Sequence, residues 1–190
     1  LDLVGDLPRP AIKTYNGGHV EKVLDASVTA RLQALLQAQG NTLFMGLLSA
    51  VNALLYRYTG QEDIIIGGAV AGREHADLED QIGFYVNTLA FRTRFDGAGT
   101  YKELLEKVGD VTLKGYEHQS YPFDELVEQL NLSRDLSRSP LFDVMLVLQN
   151  MSVDAQPTIP GKLQVSPYKE GENRLSIFDL VFTFAETADG

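Results

Sequence analysis

Hydrophobic residues recur at helical spacing in the first part of the chain. The first stretch predicts a helix that begins at Asp25 or Ser27 and ends at Gly40. The apolar positions of this helix are Val28, Leu32, Leu35 and Leu36. A second predicted helix runs from Thr42 to about Tyr58 and has almost no polar face. Because a helix that is hydrophobic on nearly all sides is buried, we expect the second helix in the core.

Other segments have the composition or the alternation of β-strands. Residues 64–66 are isoleucines between Asp63 and Gly67, a pattern that is typical of a strand covered on both faces. Alternation at 20–24 indicates a short strand before the first helix. The remaining predicted strands are 86–95, 142–149, 162–168 and 176–186. In the last of them, a period of two places Phe178, Leu180, Phe182 and Phe184 on one face.

Two more helices and a long loop complete the predicted order of elements. Thr100 forms a capping box with Glu103 and so begins a third helix. Pro122 suits the first position of a shorter helix that runs to Leu130. Residues 67–84 have the composition of a long loop, and long loops in compact domains are usually functional. The irregular alternation predicts an α/β fold, a two-layer sandwich with a mixed sheet and helices packed against it.

Length and composition favour one domain. The chain has 190 residues, no cysteine and a formal net charge of −10. Prolines and glycines mark residues 1–19 as a linker or extended arm, and 20–190 as the folded lobe. The acidic balance argues against nucleic acid, because phosphate binding needs a clustered basic surface. No apolar run reaches the ~20 residues of a membrane helix, so we expect a cytoplasmic protein.

The sequence contains no familiar catalytic arrangement. Its histidines are His19, His75 and His118. Each is isolated, and no nucleophile elbow, paired-histidine zinc motif or P-loop occurs. We expect no metal site either, because the acidic stretch 77–80 lacks the glycine turn of a calcium loop.

Three segments nevertheless have an unusual sequence. Residues 82–89 read IGFYVNTL, and asparagine has low β propensity, so we expect Asn87 to face a partner or substrate. Residues 118–124 read HQSYPFD, and residues 134–142 read RDLSRSPLF. Each segment alone admits a structural explanation, such as a helix N-terminus for the second.

In this order and spacing, the three segments resemble the condensation domains of non-ribosomal peptide synthetases. That family has the patterns IGxFVNT, HQxxPFE and RDxSRNPLF, and this chain departs from them at Tyr85, Asp124 and Ser139. Residues 42–64 and 71–73 are also similar to the family, so the resemblance covers nearly the whole chain. It implies a chloramphenicol-acetyltransferase-like lobe, one of two lobes that enclose an active-site tunnel.

The resemblance further implies that the chain is the C-terminal lobe and ends before the family's usual closing segment. The family's catalytic signature, HHxxxDG, belongs to the other lobe. No histidine here is followed by Asp-Gly at that spacing. We therefore expect no catalytic residue in this lobe, and we expect the lobe alone to be inactive.

By the same resemblance, several residues acquire expected roles. The residues expected to line the tunnel near the pantetheine arms are Tyr85, Asn87 and Thr88. The loop from residue 67 to 83 is expected to form a floor that bridges the lobes, and its marked residues are Gly72, Arg73 and Gly83. Arg73 is expected either to pair with an acid across the lobe interface or to remain a solvated cation.

A structural role is expected for a second group of motif residues, namely His118, Arg134, Asp135 and Arg138. Charge-assisted hydrogen bonds among them would hold the loop before the strand at 142. The resemblance implies no directly bound cofactor, but it implies partner carrier proteins that present 4′-phosphopantetheine arms.

The expected function is peptide-bond formation between aminoacyl or peptidyl thioesters on two carrier proteins. The expected partners are the N-terminal lobe, the upstream and downstream peptidyl carrier proteins and an adjacent adenylation domain. One alternative is a non-catalytic module of the same fold that recruits carrier proteins or tailoring enzymes. Another is the equivalent lobe of an epimerization or heterocyclization domain.

Overall fold

The fold is known from a computed structural model, which describes residues 1–133, 135–149 and 175–186. Its helices are α1 (Ala26–Ala38), α2 (Leu43–Thr59), α3 (Tyr101–Glu117) and α4 (Phe123–Gln129). Its strands are β1 (Asp63–Val70), β2 (Asn87–Arg94), β3 (Val144–Gln149) and β4 (Leu180–Ala185). A short 3-10 helix (Ala76–Leu78) lies in the loop between β1 and β2. The predicted strand at 162–168 lies outside the described residues.

Within the described ranges the strands form a mixed sheet in the order β2-β1-β3-β4. β1 and β2 pair antiparallel, with Ile64 opposite Thr93 and Ile66 opposite Phe91. β3 lies parallel to both β1 and β4. The expected α/β sandwich with a mixed sheet is therefore confirmed.

The hydrophobic core lies between one face of this sheet and helices α2 and α3. Ile64 and Ile66 are fully buried on that face, and Leu48 and Val108 meet them from the helices. The isoleucine run alternates between the two faces, because successive strand side chains point in opposite directions. Ile65 is half-buried on the opposite face, so the prediction of full cover on both sides holds only in part.

Helix boundaries follow the capping residues that the sequence indicates. Asp25 accepts a hydrogen bond from the Ser27 amide at the start of α1, and Gly60 ends α2 with a left-handed φ of 69°. In α3, the Thr100 amide donates to Glu103 at 2.7 Å and the Glu103 amide donates to the Thr100 hydroxyl at 3.3 Å. These local bonds satisfy amides that a helix leaves unpaired at its ends.

Two predicted strand boundaries and one predicted strand were wrong. β1 extends to Val70, so Gly67 belongs to a strand, and the connection that follows, hereafter the β1–β2 loop, spans residues 71–86. Residues 20–24 form no strand; Val20 is 94% exposed, and none of the strands in the described ranges pairs with this segment. A segment with alternating hydrophobic residues forms a strand only when it can pair with a neighbouring strand. The last strand begins at Leu180 instead of residue 176.

The opposite face of the sheet carries an aromatic cluster. Phe142 is buried, stacks on Phe178 with ring centroids 5.3 Å apart, and meets Phe123 at 5.5 Å. A Cβ added to Gly67 would lie 2.2 Å from the Phe142 ring. The third motif therefore attaches to the sheet through an aromatic ring that requires glycine beneath it.

Polar contacts join the N-terminal residues 1–19 to the loop before β3 and to the start of β4. Arg9 pairs with Asp179, and it also donates to the Ser137 carbonyl at 3.0 Å. The Lys13 amide donates to the Leu136 carbonyl at 3.0 Å. Within the part of the chain that the structure describes, none of the helices combines the length and apolar character needed to cross a bilayer.

We predict that Gly67→Ala destabilises the lobe by about 1–3 kcal/mol, because the new methyl group overpacks the site under Phe142. Alanine is otherwise the better strand residue, so a loss of stability isolates the steric conflict. The measurement is the free energy of unfolding in urea. Gly18→Ala is the matched control, since a Cβ there would meet nothing within 4 Å. If the two substitutions lowered the free energy of unfolding equally, the close packing of Phe142 against Gly67 would be contradicted.

The exposed edge of the sheet carries a charge cluster with a defined pH response. Asp63 accepts from Arg92 at 2.7 and 2.8 Å and from Arg94 at 2.9 Å. The hydrogen bond from Arg92 and the second one from Arg94 lower the pKa of Asp63 to about 2, against the opposing effect of desolvation. The carboxylate side chain is 41% exposed, so solvent screening keeps its contribution small.

We predict that Asp63→Asn lowers the free energy of unfolding by less than about 1 kcal/mol near pH 6. The folded-state pKa lies below the unfolded value, so this stabilisation is complete above the unfolded pKa of about 3.9. It disappears as the pH falls through about 2, where the wild-type carboxyl becomes protonated. Urea unfolding of both proteins between pH 2 and pH 7 checks this; a difference that grows towards low pH would contradict the assignment.

Candidate functional site

A cleft of about 530 Å³ lies between the β1–β2 loop and the turn that joins α3 to α4. Its lining residues are Gly72, Glu74, His75, Leu78, Tyr85, Val86, Asn87, Gln119, Ser120, Pro122 and Asp124. The first and second sequence motifs therefore meet in one place, although they lie more than 25 residues apart in the chain. Among residues 135–142, the described part of the third motif, none lines the cleft.

The loop side of the cleft depends on a close backbone approach at Gly72. This residue has a φ of +65°, a left-handed conformation that glycine adopts without strain. A Cβ at this position would lie 1.9 Å from the Tyr85 carbonyl oxygen. The two ends of the β1–β2 loop can therefore come together only with glycine here.

Arg73 braces this loop from inside. Its guanidinium lies 4.5 Å above the centre of the Tyr85 ring, and it donates to the carbonyl of Leu78 and, at 3.4 Å, to that of Gly83. The Tyr85 hydroxyl in turn donates to Gln81 at 2.7 Å. In this structure Arg73 is half-buried and bonds to its own loop, and its pairing with an acid across the lobe interface stays a prediction.

Asn87 joins the two walls of the cleft. Its Nδ2 donates to the carbonyls of Gln119 at 2.8 Å and Tyr121 at 2.7 Å. Its Oδ1 accepts from the amides of Thr88 at 2.8 Å and Phe123 at 3.2 Å. The Phe123 amide is the first of α4, whose N-cap residue, Pro122, forms no side-chain cap bond. Asn87 thus caps this helix from a neighbouring strand.

These bonds change the expectation for Asn87 and its neighbours. Asn87 is half-buried and lines the cleft, but its two donors and its acceptor already bond to the chain's own backbone. Tyr85 also lines the cleft, whereas Thr88 does not. In this structure the polar atoms of the Asn87 side chain are therefore all hydrogen-bonded within the chain, and none is left to bind a partner or substrate.

Of the motif residues with an expected structural role, the three that the structure describes, His118, Asp135 and Arg138, do not form one cluster. His118 ends α3 on the far side of the turn, and its backbone amide donates to Gly115. Asp135 accepts from the side chain and the amide of Ser137, bonds that lower the pKa of its carboxyl. Arg138 pairs with Asp2 and Asp143, both at 3.2 Å, rather than with Asp135. Arg134 lies outside the described residues.

Sequence reasoning missed Asp143, which follows the third motif. Its side chain is buried, and burial raises the pKa of its carboxyl against the attraction of Arg138. One of its carboxyl oxygens has no hydrogen-bond partner among the described residues. A hydrophobic strand pattern gives no signal that the residue directly before the strand is a buried carboxyl.

Sequence reasoning also gave no role to the polar residues between His118 and Pro122. Gln119 is half-buried and Ser120 is exposed, and both line the cleft. Their position directly after a long helix and before a proline could have indicated a surface turn, but not that the turn faces the β1–β2 loop.

The arrangement favours binding over acid–base chemistry. No group of three or more histidine, cysteine or acidic side chains within the described ranges is placed to hold a metal ion. His75 is largely exposed and lies 3.4 Å from Asp77. Besides Glu74, His75 and Asp124, the cleft lining contains apolar side chains, neutral amides and hydroxyls, which are the groups that orient a polar ligand.

Comparison with known proteins identifies the relatives of this chain. The family model described as "Condensation domain" matches residues 1–190. Bacitracin synthase 3 from Bacillus licheniformis is 45% identical over 100% of this chain and 3% of its own length. Tyrocidine synthase 3 from Brevibacillus parabrevis is 44% identical over 98% of this chain and 3% of its own length.

Solved structures show the same relationship. The X-domain from teicoplanin biosynthesis superimposes with a TM-score of 0.81 and 28% identity, over 98% of this chain and 41% of that one. Its complex with OxyB gives a TM-score of 0.80 at 28% identity, over 98% of this chain and 40% of that one. This chain thus spans a small part of the synthetases and less than half of the X-domain. The chain belongs to the condensation-domain family.

Proposed function

We propose that this chain is the C-terminal lobe of a condensation domain that forms peptide bonds in a non-ribosomal peptide synthetase. The observation that carries the proposal is the cleft in which the IGFYVNT and HQSYPFD segments meet. In the proposed reaction, the amine of a downstream aminoacyl thioester attacks the carbonyl carbon of an upstream thioester. The new amide bond replaces the carbon–sulfur bond, and the thiol of the upstream arm leaves with the proton that the amine loses.

This lobe would contribute a wall of the tunnel instead of a proton-transfer group. The expected catalytic signature, HHxxxDG, is not in this sequence, and the cleft is lined by binding groups. Holding two reactants in line can supply much of the acceleration of such a reaction. Partner carrier proteins would deliver both thioesters on 4′-phosphopantetheine arms, and the adenylation domain of the same module would load the downstream arm.

The β1–β2 loop would form the contact with the N-terminal lobe. Ile82 is fully exposed and Phe84 is 91% exposed, while Tyr85 between Phe84 and Val86 packs under Arg73. The two large apolar side chains lie close together on this loop, and burying each in a contact would stabilise that contact by roughly 1.5–3 kcal/mol. This supports a lobe interface at the floor position.

A recruitment function is the second candidate. The structural neighbour from teicoplanin biosynthesis is an X-domain that was solved in complex with OxyB. A module of that kind would use the same fold to bind a tailoring enzyme without making a peptide bond. The two candidates differ in whether the parent protein forms product from two loaded carrier proteins.

We predict that the double substitution Ile82→Ser and Phe84→Ser weakens assembly of this lobe with a separately produced N-terminal lobe by roughly 10- to 100-fold. The reason is the loss of two apolar contacts at the interface. The stability of the isolated lobe should stay within about 0.5 kcal/mol, because both side chains are exposed. Affinity by calorimetry and stability by urea unfolding separate the two effects.

Leu113→Ser is the matched control for this experiment, since Leu113 is 55% exposed on α3, away from the β1–β2 loop. It should leave the affinity between the lobes unchanged. Unaltered assembly of the loop variant would contradict the interface.

We predict that the 190-residue chain alone forms no dipeptide from donor- and acceptor-loaded carrier proteins. Addition of the N-terminal lobe should restore product, because that lobe would complete the tunnel and supply the histidine signature. Mass spectrometry of the carrier-bound species detects the dipeptide. Product from this chain alone would overturn the assignment, whereas failure of the complete parent synthetase to condense would favour the recruitment module.

A further inference from the structure

The most informative group in the cleft is the side chain of Gln119. It is half-buried in the wall of the cleft. The backbone around it is fixed on both sides: the Gln119 amide donates to Tyr116 at 3.2 Å, and the Gln119 carbonyl accepts from Asn87 at 2.8 Å. Its side-chain amide, in contrast, forms no hydrogen bond with any other described residue. The fixed backbone places this side chain in the cleft wall, and its carboxamide keeps its donors and its acceptor available for a ligand.

The charge of the cleft limits what this carboxamide can bind. Glu74 and Asp124 line the cleft, and no lysine or arginine belongs to its lining within the described ranges. An anionic group such as a phosphate would therefore be repelled. A carboxamide offers one acceptor oxygen and two N–H donors, which match the N–H and carbonyl of a neutral secondary amide. The apolar side chains of Leu78, Val86 and Pro122 suit the methylene groups that flank such an amide.

We infer that Gln119 is the residue of this cleft that binds a secondary amide of the pantetheine arm, and that Asn87 is its positioning residue. This inference rests on the proposed function and deepens it. Asn87 acts through the turn: its bonds to Gln119 and Tyr121 hold the two ends of the segment that carries the free carboxamide. The phosphate of the arm stays outside the cleft.

The experiment uses the complete parent synthetase and small thioesters of pantetheine. Donor and acceptor aminoacyl groups are each supplied on pantetheine. They are also supplied on pantetheine analogues in which one amide of the arm is replaced by an ester. This replacement removes the N–H donor of that amide. In the wild type, one ester analogue should show a KM about 3- to 10-fold higher than the amide, the cost of one neutral hydrogen bond. Gln119→Leu should raise the KM for the amide by a similar factor and abolish the difference between amide and ester.

Asn87→Asp tests the positioning role, because a carboxylate cannot donate to the Gln119 and Tyr121 carbonyls. It should abolish the difference between amide and ester although Gln119 is intact, a result that a loss of stability alone does not produce. Gln37→Leu is the control, since Gln37 is exposed on α1, and it should preserve the wild-type ratio.

The outcomes distinguish the roles of Gln119 and Asn87 from the proposed function of the chain. If the wild type forms product but Gln119→Leu retains the wild-type amide-to-ester ratio for both donor and acceptor, the role of Gln119 is overturned and the proposed function stands. If the wild type discriminates and Asn87→Asp keeps that ratio, the positioning role of Asn87 is overturned. If the wild type forms no product even from loaded carrier proteins, the proposed function fails, and this inference fails with it.

Discussion

The carboxamide of Asn87 is the contact on which the geometry of the cleft depends. It sits at the start of β2, and its bonds reach the carbonyls of Gln119 and Tyr121 and the first amide of α4. A proline at the N-cap leaves this short helix without a side-chain cap, so the strand supplies one. Asparagine is suited to this position because a single planar group both donates and accepts. Asparagine has a low β propensity, and its occurrence at position 87 of a strand is explained by these tertiary hydrogen bonds.

The opposite wall is built by a different device. Gly72 lets the two ends of the β1–β2 loop approach closely, and Arg73 fills the interior of the loop with bonds to two carbonyls and a ring contact. An arginine is effective here because its guanidinium can lie over the Tyr85 ring while its N–H groups donate to the two carbonyls. The same bracing holds Ile82 and Phe84 outward. The contacts of Arg73 and the exposure of Ile82 and Phe84 thus belong to one loop conformation.

Ion pairs attach the N-terminal residues to the lobe. Arg9 and Arg138 link the N-terminal residues to Asp179 and Asp143 on the side of the sheet that carries Phe142. The buried Asp143 is an exception to the apolar core, and burial raises the pKa of its carboxyl. The Arg9–Asp179 and Arg138–Asp2 pairs connect residues that are more than 130 positions apart in the chain. In contrast to Arg138, Arg92 and Arg94 pair with Asp63 at an exposed position that joins β1 to its neighbour, the edge strand β2.

Local chemistry in the sequence determined most helices and strands of this protein. Helix ends are set by bonds within a few residues, at Thr42, Gly60 and the Thr100–Glu103 pair. Because these bonds are local in the sequence, the sequence alone predicts them. The segment at 20–24 shows the opposite case, since a strand needs a neighbour that local alternation does not specify. The three motifs identified the family, but they did not reveal the partners of Asn87 and Arg73. The bonds of Asn87 to the turn reach 32 to 36 residues along the chain, and only the folded sheet brings those carbonyls and amides within hydrogen-bond distance.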